Sequence, residues 1–147
     1  MEITFEKVRG IWKNAGGKDT GGILEWFAPP VTSKWTQITI KACDVGSLRC
    51  IGGYPVRSSD GKQKVENIAD VVDYDRNFKW DAEWQMVAVK DPETSECILL
   101  DGNGRALQTF HALKNQTIAS DDQIGIIVGD LNLLIVRVSK AISSLYC

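Results

Sequence analysis

The stretch Leu99-Leu100-Asp101-Gly102-Asn103-Gly104-Arg105-Ala106-Leu107-Gln108 decides the fold prediction, because two structural periods meet inside it. Residues 97–100 form a short apolar run of the kind found in buried strands. From Ala106 onward, apolar residues recur at helical spacing, at Ala106, Phe110 and Leu113. The sequence therefore predicts a strand that passes through two glycines directly into a helix.

Such a strand-to-helix turn is suited to anion binding. The first N–H groups of a helix have no intrahelical acceptor and carry partial positive charge, and glycines let the backbone approach an anion closely. Arg105 falls in the first turn, where the helix dipole disfavours a cation by about 0.3–1 kcal/mol, so its position indicates a nearby anion. We expect a phosphate site formed by Asp101, Gly102, Asn103, Gly104 and Arg105. In an alternative interpretation, Asp101 is a helix cap, the glycines are turn residues and Arg105 is an ion-pair partner within the fold.

Outward from this turn, the pattern predicts an α+β protein. A glycine- and proline-containing N-terminal region, residues 1–35, is expected to be largely irregular. The remaining predicted elements are strands at 36–41, 86–90, 97–100, 124–128 and 133–138, an amphipathic helix at 66–78, a helix from about 103, a short helix after Ser139, and turns at 58–62 and 129–132. We expect one compact domain over residues 1–147, with a small mixed sheet packed with two or three helices.

Composition narrows the class of partner. The chain has 147 residues, 17 Lys and Arg, 19 Asp and Glu, and a formal net charge of −2, which disfavours long nucleic acids as partners. No apolar segment has the length of a signal peptide or a membrane span, so a cytoplasmic location is expected. The four cysteines are expected to be free thiols, although the sequence alone leaves their redox state open. Their spacing forms no CxxC pair, and we expect no metal site.

Three further groups of side chains are candidates for function. His111 is the one histidine of the chain and a weak candidate, with Asp101, for acid–base catalysis. Trp80 and Trp84 are candidates for stacking on a base, with closure of the core as the alternative. The carboxylates of Asp70, Asp73 and Asp75 are interpreted as a solvated acidic face.

The predicted order of helix, strand, turn, strand, Asp-Gly-x-x-Arg and helix resembles the ParB/sulfiredoxin-like superfamily over roughly residues 65–128. The resemblance implies a fold of that type, with nucleotide phosphates bound at the strand-to-helix turn by Asp101, Gly102, Asn103 and Arg105. Gly104 stands where the motif usually has His, and Asn103 stands where sulfiredoxins have their reactive Cys. Sulfiredoxin chemistry is therefore not expected.

These observations lead to two functional hypotheses. The first is a small nucleotide- or phosphate-binding domain, in the class of a phosphotransferase or nucleotide hydrolase. The sequence identifies no cofactor, although a nucleotide with Mg²⁺ fits this hypothesis. The second is a non-enzymatic ligand- or protein-binding module on the same scaffold, with a homo-oligomer formed through the apolar run 133–138 as one version.

Overall fold

A seven-stranded mixed sheet forms the centre of the computed structural model, which describes residues 1–14, 23–53, 56–73 and 85–132. The strands are β1 (Glu2–Ile3), β2 (Thr32–Lys41), β3 (Arg49–Gly53), β4 (Val56–Lys64), β5 (Met86–Lys90), β6 (Cys97–Asp101) and β7 (Gln123–Leu131). The α-helices are α1 (Phe5–Asn14), α2 (Val65–Ile68) and α3 (Asn103–Lys114), and 3₁₀ helices lie at Ile23–Phe27 and Ala42–Ser47. Within these described ranges, no helix is long and apolar enough to span a membrane.

The strand order, β1-β2-β7-β5-β6-β3-β4, mixes the two directions of pairing. β5 pairs with β7, and β6 with β3, in parallel, whereas the other neighbours are antiparallel. The predicted hairpin of β5 and β6 is confirmed, with Val89 opposite Ile98 and Lys90 opposite Cys97. The predicted α+β class, with a mixed sheet and packed helices, is also confirmed.

The central strands are buried on both faces. Met86 and Ala88 of β5 pack in one cluster with residues of α2 and α3, whereas Val87 and Val89 pack in a second cluster with residues of α1. Leu99 and Leu100 divide between the same two clusters. Because each face has its own helical cover, these strands consist of continuous apolar runs without polar alternation.

The prediction that residues 1–35 are largely irregular is wrong for residues 5–14, which form α1, and for residues 32–35, which belong to β2. Thr4 caps α1 by accepting a hydrogen bond at its Oγ1 from the Lys7 N–H, 3.2 Å away. Val8 and Trp12, one turn apart, are both buried against the sheet. Gly10 lies on the other face of the helix from Val8 and Trp12. Because glycine inside a helix is unfavourable, the sequence alone does not indicate α1 clearly. The region also contains the first 3₁₀ helix, and β2 begins four residues earlier than predicted, at Thr32.

The predicted helix 66–78 is much shorter in the structure. α2 ends at Ile68, and residues 69–73 form turns and a bend. Ile68 is buried but Val71 is 81% exposed, so the apolar residues that predicted one helical face do not share it. The remaining predicted residues, 74–78, lie outside the described residues.

Two predicted turns are strand segments. Residues 58–62 belong to β4, where Cys50 pairs with Gln63 but Ile51 pairs with Asp60, so the left-handed Gly61 (φ 79°) lies in an irregularity of the ladder. β7 continues through Leu131, because Gly129 is required for close packing and not for a reversal. The predicted strand 133–138 and the helix after Ser139 lie outside the described residues.

A largely buried ion pair joins β3 to the turn that follows β5. Nη1 of Arg49, on β3, lies 2.7 Å from a carboxylate oxygen of Asp91, which follows β5. The Arg49 Nε also donates to the Gly61 carbonyl on β4. The Arg49 guanidinium holds the pKa of the Asp91 carboxyl below its usual range, with further help from backbone N–H groups.

Candidate functional site

The turn between β6 and α3 contains a single residue, Gly102, between the end of the strand and the first helical residue. Gly102 has φ 100° and ψ 20°, a left-handed conformation that disfavours any residue with a Cβ. A Cβ at this position would lie 2.7 Å from Met86 Cγ on β5. Both the conformation and the close approach to β5 therefore require glycine, and together they fix where α3 begins.

Within the part of the chain that the structure describes, no side chain of the N-cap residue closes the N-terminus of α3. Gly102 occupies the N-cap position without a side-chain hydrogen bond, and the first turn contains no acidic residue. The first intrahelical bond runs from the Ala106 N–H to the Gly102 carbonyl, over 2.9 Å. The N–H groups of residues 103–105 come before that donor, at the positive end of a 12-residue helix. This arrangement is the one that stabilises a bound anion.

Asn103 is buried, with only 4% of its surface exposed. Its Nδ2 donates to the Ile51 carbonyl on β3, 3.3 Å away, which ties the start of α3 to the strand beside β6. Its Oδ1 is buried and has no hydrogen-bond partner within the described part of the chain. The sequence predicts Asn103 as a phosphate ligand. In the structure its Nδ2 already donates to Ile51, and its other polar atom, Oδ1, accepts hydrogen bonds and so cannot donate one to a phosphate oxygen.

Asp101, the last residue of β6, is partly buried. Burial raises the pKa of its carboxyl group, and a hydrogen bond from the Gly102 N–H lowers that pKa by a smaller amount. The ionised carboxylate is thus less favoured here than in water. A carboxyl group with a raised pKa beside an anion site repels an anion less and exchanges protons nearer to neutral pH.

Gly104 and Arg105 occupy the first turn of α3, and both are partly exposed. The Arg105 carbonyl accepts a hydrogen bond from Thr109 Oγ1 at 2.8 Å, within the helix. The structure therefore brings together all five residues that the sequence predicts for the phosphate site, from Asp101 to Arg105. Asp101, Gly102, Gly104 and Arg105 are each partly exposed, whereas Asn103 is buried and hydrogen-bonded to Ile51.

The structure does not bring His111 to this turn. His111 lies eight residues beyond Asn103, about 12 Å further along the helix axis. Its Nε2 lies 3.1 Å from the Ala69 carbonyl oxygen, and its ring meets the Phe110 ring edge-on at 6.0 Å. These contacts attach α3 to the residue after α2, which is a structural role.

Among the other candidates, the structure describes only Asp70 and Asp73. Trp80 and Trp84 lie outside the described residues, as does Asp75. The Asp70 carboxylate is exposed and lies 3.8 Å from Nζ of Lys114, in line with the predicted solvated face. Within the described ranges, no three His, Cys, Asp or Glu side chains are grouped as metal ligands would be.

Sequence reasoning did not single out Thr32 of β2, which with Trp35 belongs to the lining of a cleft at the other edge of the sheet. The spacing of Thr32 and Trp35 gives no periodic signal, and their shared contact with Gly129 of β7 depends on strand pairing across almost the whole chain.

No family model, no curated protein and no solved structure matches the chain. The resemblance to the ParB/sulfiredoxin-like superfamily thus rests on the residues of the turn and on the predicted order of elements.

Proposed function

We propose that this chain is a small nucleotide- or phosphate-binding domain whose anion site is the turn from Asp101 to Arg105. The observation that supports it best is the N-terminus of α3, where the left-handed N-cap residue Gly102 has no capping side chain and the first turn contains no acidic residue. A helix of this length presents partial positive charge and backbone donors to an anion. Arg105 adds a full positive charge on the same turn.

Each residue of the turn then has a distinct task. The N–H groups at the start of α3 donate to phosphate oxygens, and Arg105 neutralises phosphate charge. Gly102 and Gly104 keep side chains away from the ligand, while Asn103 fixes the helix start through its bond to Ile51. Asp101, with its raised pKa, exchanges a proton with a bound phosphate or an attacking hydroxyl group if the domain is a phosphotransferase or hydrolase.

The test is a binding measurement with a panel of nucleoside triphosphates, nucleoside diphosphates and pyrophosphate, each with Mg²⁺. Thermal shift identifies the ligand, and calorimetry then gives its dissociation constant. Loss of one charge-assisted bond in Arg105→Ala should weaken binding by about tenfold or more. Arg105→Lys, which keeps the charge but loses the planar fork, should give an intermediate value.

Lys114→Ala is the matched control, because it removes a cation from the opposite end of the same helix. It should leave the dissociation constant unchanged. The proposal is wrong if no member of the panel binds, or if Arg105→Ala and Lys114→Ala bind the ligand equally well.

The placement of His111 favours a second candidate, a non-enzymatic ligand- or protein-binding module on the same scaffold. Because its ring contacts the Ala69 carbonyl about 12 Å along the helix from the turn, the one histidine of the chain does not contribute to the site. Product analysis after incubation with the bound nucleotide separates the two candidates. Binding without turnover would support the module, and hydrolysis or transfer would support the enzyme. The predicted oligomer through residues 133–138 stays a prediction, tested by light scattering.

A further inference from the structure

We draw no further inference here: the strongest candidate, the cleft between the edge strand β1 and the first half of β2, carries nothing, because the Thr32 hydroxyl and the Trp35 indole nitrogen of its wall are buried away from it and nothing in the structure shows what covers its open side.

Discussion

Replacing Gly102 with Ala tests the geometry on which the candidate site depends. Two separate costs follow from the structure. Holding an alanine at φ 100° costs about 1–2 kcal/mol, because the added Cβ crowds its own backbone. The same Cβ would lie 2.7 Å from Met86 Cγ and 3.1 Å from Met86 Cβ, and overpacking of this kind costs about 1–3 kcal/mol.

The free energy of unfolding of Gly102→Ala should therefore fall by about 2–5 kcal/mol, a large part of the roughly 5–15 kcal/mol that stabilises a domain. Urea denaturation followed by tryptophan fluorescence measures it. Gly10→Ala is the matched control, since the residue is inside α1 and, outside its own stretch of helix, no atom of the described residues lies within 4 Å of its added Cβ. That variant should gain about 0.5–1 kcal/mol.

A double-mutant cycle separates the two costs. Met86→Ala removes Met86 Cγ, the atom nearest to the new Cβ, but keeps Met86 Cβ at 3.1 Å, so Gly102→Ala should recover only part of the overpacking cost of about 1–3 kcal/mol in that background. If Gly102→Ala alone lost less than about 0.5 kcal/mol, neither the left-handed conformation of Gly102 nor its close contact with Met86 could be correct, because surface substitutions without strain give values of that size.

Three further predictions concern residues away from the turn. Asp91→Asn should lower stability at pH 7 by about 2 kcal/mol, because it leaves the Arg49 guanidinium without a charged partner. The pKa of Asp91 is lowered in the folded state, so its contribution to the free energy of unfolding is complete above the unfolded pKa of about 3.9 and is lost as the pH falls through the folded pKa. The free energy of unfolding of Asp91→Asn should therefore fall less steeply with decreasing pH. His111→Gln should leave ligand binding unchanged, whereas His111→Ala should cost about 1 kcal/mol of stability through loss of a hydrogen bond, as measured by denaturation. Gly129→Ala should lose about 1–3 kcal/mol, because its Cβ would lie 2.8 Å from the Trp35 ring; an unchanged melting curve would contradict the packing of Trp35 on β7.

Local patterns predict the centre of the fold well. The runs that become β5 and β6 are apolar throughout, and a proline-containing segment between them indicates the hairpin that the structure confirms. The period of α3 is equally clear, and its start at Asn103 follows from Gly102. These features depend on residues close together in the chain.

Features that depend on contacts between residues far apart in the chain cannot be predicted from the local sequence pattern. Gly61 and Gly129 both indicate turns, but the first lies in an irregularity of β4 and the second makes room for Trp35. Gly10 lowers the helix propensity of the sequence that forms α1. In β3, the charged Arg49 and two glycines leave too few apolar residues for a recognisable strand pattern.

The candidate site shows the same division. Its place in the chain and its glycines follow from the sequence, because a strand must turn into a helix there. The bond from Asn103 to Ile51 and the contact of Gly102 with Met86 do not, since each joins the turn to a strand far along the chain. The burial that raises the pKa of Asp101 is likewise a property of the folded chain.

The most direct test of the central claim is a ¹H–¹⁵N spectrum of the chain, recorded while the best-binding nucleotide is added with Mg²⁺. We expect the amide signals of Asn103, Gly104 and Arg105 to shift saturably and together, because these N–H groups lie at the start of α3. Signals from the far end of the helix, such as Lys114, should stay in place. Unmoved signals at residues 103–105, with saturable shifts elsewhere or none at all, would contradict it.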